Sequence, residues 1–257
     1  YTTSSPSLEN TVDRLIDLCA QEDVKSTNFV LGELADTKPQ IIKKLHSAGH
    51  EISSHGYAHK LVYDMKPLEF KEDLRISCDK LEQITGEKVL GFRAPSWSLK
   101  KDTLSWYYEI LEEQGLTYSS SVYPAHTFLY GISGFHQKPH YPVIQNKQTS
   151  ILEIPQSVVK ILGKEIGFAG GFYLRFFPEW FIKYSIKNKN KNNHPVFVYL
   201  HPREIEKEQQ KIDLKPLENF IHYHGINGCE NKLQGIIKEF SKSFIRMDKF
   251  TNEMNNI

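Results

Sequence analysis

Three cysteines stand in 257 residues, at positions 19, 78 and 229. They are odd in number, far apart and form no Cys-x-x-Cys pair, so the chain reads as carrying buried thiols rather than a disulfide framework. Long apolar runs are as scarce. The longest, around "VFVYL", falls far short of the ~20 residues that cross a bilayer, so no transmembrane segment is expected. Charge of one sign is missing too. Thirty-two Lys and Arg against 31 Asp and Glu leave a net charge of +1. That balance gives no field for nucleic acid or an anionic membrane. The basic run "KNKNKNN" at 187–193 is local and reads as a solvated loop. No secretory signal opens the chain as given, and a cytoplasmic location is the expectation. Apolar and charged fractions of 39% and 25% are those of a soluble globular protein. The length suffices for one large α/β domain with a substantial core.

What is present is an alternation of two periodicities. "SLENTVDRLIDLCAQ" carries Val12, Leu15, Ile16 and Cys19 at helical spacing, with Ser7 as the expected N-cap. "STNFVLGEL" reads as a buried strand ending at Gly32. "KPQIIKKLHSAGH" reads as a helix with Pro39 in its first turn and Gly49 as its terminator. "HEISS" is the next strand. "KPLEFKEDLRISCDKLEQITG" aligns Phe70, Leu74, Cys78 and Leu81 on one stripe and closes at Gly86. "KVLGFRAP" is a strand, "KDTLSWYYEILEEQG" a helix with Asp102 as N-cap, and "LTYSSSV" a strand. This rhythm predicts βαβ units and a mostly parallel sheet or barrel. Each right-handed crossover needs a strand before its helix. The first helix has none in the chain as given, so a strand is expected from elsewhere in the chain or upstream of Tyr1.

The rhythm breaks between residues 123 and 194, a stretch rich in Gly, Pro, His and aromatics. It is expected as an irregular insertion within a single domain spanning 1–257, with a helix near 178–187. Its aromatics read equally as a sugar-stacking groove or as core packing. "HPVFVYLHPRE" then reads as a core strand, "NKLQGIIKEF" as a late helix and "SFIRMDKF" as a final strand.

Functional groups in parallel α/β folds gather at the carboxyl ends of strands. Four clusters qualify: His55 and His59; Arg93, Pro95, Ser96 and Trp97; serines 119–121; and His201, Pro202 and Glu204. Histidines four apart face one side of a helical turn, and neutral imidazoles there can share one Zn²⁺. The same spacing also arises from two surface histidines. A catalytic zinc wants a third protein ligand, often a carboxylate, and one position for water. Arg93 reads either as a structural ion pair or as the orienting partner of a catalytic carboxylate. His201 reads either as a core histidine or as a general acid, since imidazole titrates near neutral pH.

The stretch from "TNFVLGEL" through "GHEISSHGYAH" to "GFRAPSWSL" resembles the polysaccharide deacetylases, the NodB-homology group of carbohydrate esterase family 4. In particular it resembles the bacterial branch found with exopolysaccharide gene clusters. The likeness continues in "LEIPQS", "GGFYLRFFP" and "VYLHPRE", and "SHGYAH" followed by "RAPS" is its most specific part. The resemblance implies an α/β fold, a distorted (β/α) barrel of about seven strands whose first strand is missing from the chain as given. It implies a divalent metal, most often Zn²⁺, on His55, His59 and an aspartate, with a second aspartate as base. On this sequence Arg93 matches the arginine that holds the base, and His201 matches the acid. Pro95, Ser96 and Trp97 match the groove lining, and Tyr199 is a further substrate-binding candidate. The implied activity is removal of N-acetyl groups from an N-acetylated polysaccharide in exopolysaccharide or cell-wall glycan metabolism, with no nucleic-acid partner.

Two departures accompany the resemblance. The family's aspartate motif belongs at the end of the strand before the first helix, so the base and the third metal ligand are assigned to no residue here. The family's "YDSS" reads "YSSS" at Tyr118 to Ser121, where Ser119 supplies no carboxylate, and this is expected to cost activity. Two other readings keep the fold: a C–N hydrolase of a small cyclic amide, and a catalytically impaired glycan-binding protein.

Overall fold

The computed structural model describes residues 6–125, 127, 130–206, 209 and 212–255. In chain order the first elements are α1 (Pro6–Gln21), β1 (Thr27–Val30), α2 (Gly32–Thr37), α3 (Pro39–Ser47), β2 (Glu51–Ser54), α4 (Pro67–Thr85), β3 (Gly91–Phe92), α5 (Leu104–Glu113) and β4 (Tyr118–Ser119). Then come β5 (Val143–Ile144), β6 (Lys147–Gln148), β7 (Leu152–Glu153), β8 (Val158–Ile161) and β9 (Lys164–Gly167). The last are α6 (Gly171–Phe176), α7 (Glu179–Lys191), α8 (Pro216–Tyr223), α9 (Ile226–Phe240) and α10 (Met247–Asn255). The chain packs as two compact units, one of residues 25–156 and 245–257, the other of residues 1–24 and 157–244. Their boundary at Gln156 cuts the segment expected as an irregular insertion.

The first unit is built on a parallel sheet in the order β1-β2-β3-β4-β7. Each strand lies beside its predecessor in this sheet, the usual placing of consecutive elements. The helices between them follow the predicted stripes: Phe70, Leu74, Cys78 and Leu81 of α4 are all buried. Gly86 closes α4 in the left-handed region at φ 72°, where glycine meets no Cβ penalty. Strand alternation sorts side chains onto two faces. Glu51, Ser53 and Tyr118 share one face: the Tyr118 hydroxyl lies 2.7 Å from Ser53 Oγ and 2.7 Å from Glu51 Oε1. The Tyr118 ring crosses directly over Gly91, where a Cβ would fall 2.0 Å from Cζ. The other face meets helices: Ser54 Oγ is 2.8 Å from Ser77 Oγ of α4, and Ser119 Oγ is 2.9 Å from the Tyr107 hydroxyl of α5.

The second unit gathers Phe168, Ala169, Leu174, Ile182, Ile186, Ile205, Cys229 and Ile236 into one core. Leu18 of α1 packs with Leu233 and Ile237 of α9, on the predicted apolar faces. None of the three cysteines is in a disulfide; Cys78 and Cys229 are buried and Cys19 is half-buried. Burial pushes the Cys78 and Cys229 thiols up to about 12, so neither is a thiolate at neutral pH.

Four local expectations are corrected. Helix α1 begins at Pro6, one residue before the expected cap Ser7. Thr103, not Asp102, is the N-cap of α5, and Asp102 Oδ1 accepts from the Thr103 amide instead. "PVFVYL" is no regular strand; it makes one parallel bridge, Tyr199 to Gly170. Elsewhere its backbone turns to a side chain, with Phe197 N donating to Ser157 Oγ at 2.9 Å. "SFIRMDKF" is a turn and the start of α10, not a strand. Its helical start is fixed by distant groups: Met247 N donates to Thr27 Oγ1 at 2.8 Å and Asp248 N to Glu51 Oε2 at 3.1 Å. These satisfy amides that a helix end leaves unpaired, and a local pattern cannot reveal them.

Candidate active site

His55 follows β2 directly, and its backbone N still pairs with Val30 O at 2.9 Å. The loop after it is not the helical turn that the His-x-x-x-His spacing suggested. Gly56 and His59 take φ of 77° and 58°, and these left-handed residues fold the chain back on itself. The loop is clamped from two sides. Gly32 N donates to Gly56 O at 2.9 Å and Glu33 N to Tyr57 O at 3.0 Å. From α4, Asp73 Oδ2 accepts from Tyr57 N at 2.9 Å and Ser77 Oγ donates to Gly56 O at 3.1 Å. Burial raises the Asp73 carboxyl above its usual range, against the pull of that amide. The result brings the two imidazoles together after all, with ring centroids 5.2 Å apart at 75°.

His55 Nδ1 lies 2.7 Å from Arg93 O. A carbonyl only accepts, so Nδ1 carries the proton and Nε2 carries the lone pair. This backbone brace is the arrangement that orients metal-bound histidines. The donor chemistry therefore fits a divalent transition metal as far as two imidazole ligands. Among the described residues, no set of three or more His, Cys, Asp or Glu side chains is placed to hold a metal.

Arg93 follows β3, and its guanidinium is fixed. Nε donates to Ser120 O at 3.1 Å, one terminal nitrogen donates to Ser120 Oγ at 2.8 Å, and Cζ lies 4.2 Å from the Phe29 ring centroid. The loop after Arg93 is strained, since Ser96 and Trp97 take φ of 52° and 48°. Such non-glycine residues cost roughly 1–3 kcal/mol each and gather at functional sites. Pro95 and Trp97 are buried and Ser96 is exposed. The Trp97 ring packs 6.2 Å from Tyr123 and 5.6 Å from Tyr130.

Beneath Arg93 lies a support that motif reading missed. Glu153 is fully buried; its Oε1 accepts from the amides of Ser121 and Val122, both at 2.9 Å. Its Oε2 accepts from the Tyr108 hydroxyl at 3.1 Å. Burial pushes this carboxyl above its ordinary range, although the surrounding donors pull it down. Ser121 Oγ in turn accepts from Ala94 N at 2.9 Å, so Glu153 fixes both loops that place Arg93. The signal was a glutamate inside the apolar run "ILEIP". Ser119 belongs to this helix-side network, on the face opposite Glu51 and Tyr118.

His201 and Tyr199 belong to the second unit. The His201 side chain is 56% exposed, so it is not a core histidine. Its backbone N donates to Glu204 Oε2 at 3.1 Å, and Nδ1 lies 3.9 Å from Glu204 Oε1. Glu204 is itself buried against Arg175, whose Nε is 3.6 Å away. Tyr199 lies over the glycine pair 170–171; a Cβ on Gly170 would fall 2.0 Å from its Cδ1. The Tyr199 and His201 rings meet edge-on at 6.0 Å.

Residues 4–118 match the polysaccharide deacetylase family, and residues 120–252 match a domain of unknown function, DUF3473. The first match ends within β4 and the second begins just after it, so Arg93 falls in one and its supports Ser120 and Glu153 in the other. A peptidoglycan deacetylase-like protein of Gibberella zeae is 33% identical over 143 residues, 51% of this chain and 41% of the relative. The chain thus spans about two fifths of that relative's length. Among solved structures, a probable polysaccharide deacetylase of Pseudomonas aeruginosa superposes with a TM-score of 0.64 at 19% identity, over 94% of this chain and 71% of the other. An allantoinase superposes with a TM-score of 0.65 at 20% identity, over 94% and 71%. At these identities the two structures speak for the fold: α/β with an open parallel sheet, in keeping with a distorted barrel. No described helix is long and apolar enough to cross a membrane. Residues 4–118 are thus a polysaccharide deacetylase domain, and over residues 120–252, half of its length, the chain belongs to the DUF3473 family.

Proposed function

We propose that the protein is a metal-dependent N-deacetylase of an N-acetylated glycan, acting in exopolysaccharide or cell-wall glycan metabolism. The observation that carries this reading is the His55–His59 pair at a strand end, with His55 braced through Nδ1 on the backbone of Arg93. His55 and His59 would hold the ion, with Zn²⁺ the best match to two imidazoles. Bound there, a divalent ion supplies polarisation of an acyl oxygen and a water acidified towards neutral pH. Arg93 is the positioning group for the carboxylate that serves as base. His201 is the proposed proton donor to the leaving sugar amine, a role worth roughly 10²- to 10⁴-fold in rate. The glycan class is supported by the name of the Gibberella zeae relative, a peptidoglycan deacetylase-like protein.

The test offers full-length protein a panel of N-acetylated oligosaccharides beside a small cyclic amide. Acetate release from the oligosaccharides supports the proposal. Ring opening of the amide without acetate release overturns it in favour of the cyclic-amide hydrolase. Glycan binding with neither product overturns it in favour of a binding protein.

A further inference from the structure

The segments "GGFYLRFFP" and "VYLHPRE" lie against each other in the second unit. Tyr199 N donates to Ala169 O at 3.1 Å and Gly171 N to Tyr199 O at 3.3 Å. Gly171, at φ 54°, opens α6, and a Cβ there would fall 2.8 Å from the Tyr199 hydroxyl. The absence of that Cβ is what lets the chain pass so close to the ring. From this contact α6 carries Arg175 in its last turn, with a side chain only 3% exposed. A buried guanidinium requires acceptors and a counter-charge. Its two terminal nitrogens donate to the carbonyls of Ile221 and His224, which the end of α8 leaves without helical partners. That leaves Nε, which makes no hydrogen bond among the described residues and lies 3.6 Å from Glu204 Oε1.

Glu204 is buried as well, and its two oxygens divide their contacts. Oε2 accepts from the His201 amide at 3.1 Å, while Glu204 N donates to His201 O at 2.9 Å. Oε1 stands between two nitrogens, Arg175 Nε at 3.6 Å and His201 Nδ1 at 3.9 Å. Neither distance is a hydrogen bond, but charges this close interact strongly where water is excluded. A carboxylate only accepts, so the ring edge that faces Oε1 is favoured with its proton on Nδ1. Nε2 then lies on the other side of a ring whose side chain is 56% exposed. When an imidazolium gives up its Nε2 proton, the neutral ring left behind is the Nδ1–H tautomer, the form the carboxylate favours. A buried carboxylate with no counter-charge is costly, and Arg175 supplies that charge.

We infer that Glu204 and Arg175 are positioning residues for His201. Glu204 turns the Nδ1 edge of the ring inwards and leaves Nε2 for the leaving amine. Arg175 is the counter-charge that keeps Glu204 buried beside the ring. This role rests on the reading of His201 as proton donor, and both residues act through His201 rather than on the substrate.

The first readout needs no activity. Full-length protein with ¹⁵N-labelled histidine is observed by NMR at alkaline pH, where imidazole is neutral, and the His201 signals are assigned by their loss in His201→Gln. The wild-type ring should carry its proton on Nδ1. In Glu204→Gln and in Arg175→Gln the proton should move towards Nε2. Glu204→Gln is the milder change, since Arg175 keeps two carbonyl acceptors, so the measurement survives if the Arg175 variant fails to fold. The second readout is acetate release from an N-acetylated oligosaccharide. Glu204→Gln should lower kcat at least about tenfold with KM little changed, and should cost almost nothing more when added to His201→Gln. A role confined to stability predicts the same loss in both backgrounds and no change of tautomer. An Nδ1–H tautomer unchanged in Glu204→Gln, or a full further loss on adding Glu204→Gln to His201→Gln, overturns the assignment. Undiminished turnover in His201→Gln, with the tautomer still shifting in Glu204→Gln, would unseat His201 as the donor and uphold its seating by Glu204.

Discussion

Replacing Glu153 by glutamine should leave the protein folded and change how its stability depends on pH. The wild-type carboxyl is fully buried, pairs with no cation among the described residues, and is held by two amides and the Tyr108 hydroxyl. Burial raises its pKa in the folded state above the 4.5 of an ordinary glutamate. A folded acid with a raised pKa holds its proton more tightly than the unfolded chain does. Stability therefore falls as pH rises from about 4.5 through the folded pKa, then levels off. The loss amounts to ~1.4 kcal/mol per unit of pKa difference. Glutamine keeps the carbonyl that receives the two amides and has nothing to titrate. Its stability relative to wild type should thus increase with pH over that window. Glu153→Ala is the contrasting case, because it orphans two buried amide donors. At ~1–3 kcal/mol each, these sum to about 2–6 kcal/mol before any cavity is counted. The assay is urea unfolding from pH 4.5 to 8, read by fluorescence in a Trp180→Phe background so that Trp97 and Trp106 report on the sheet unit. A glutamine-minus-wild-type difference that is flat or falling with pH, or an alanine variant as stable as wild type, would refute the reasoning.

Gly91→Ala should destabilise the same sheet by at least the ~1–3 kcal/mol of ordinary overpacking, since its Cβ would fall 2.0 Å from the Tyr118 ring; an unchanged melting temperature contradicts the packing described. Ser119→Asp should lower the melting temperature and fail to raise deacetylase activity, because Ser119 is buried on the helix face beside Glu153 and Tyr107. A more active, equally stable Asp variant would show that this position serves the site after all.

Much of the sheet could be read from sequence, because its signals are local. Gly86 and Gly115 mark turns at φ 72° and 79°, and the α4 stripe is a matter of period. Strand-end placement likewise gave His55 and Arg93. The missed parts depend on partners far away in the chain. Helix α10 starts where it does because Thr27 and Glu51 receive its first amides. "PVFVYL" has the composition of a strand, yet its bonds go to a serine hydroxyl and a glycine turn. The His55–His59 pair was found for a partly mistaken reason: not a helical turn but two left-handed residues bring the rings together. Glu153 escaped notice because a buried carboxylate is intelligible only once its donors are in place.

The most direct measurement is acetate release from an N-acetylated oligosaccharide by full-length protein that has been stripped of metal and then given Zn²⁺, beside His55→Ala treated identically. The stripped protein should be inactive and recover on zinc addition. His55→Ala should stay folded, bind zinc more weakly and remain inactive. Undiminished acetate release by the stripped protein, or full recovery of His55→Ala, would contradict the assignment of the site.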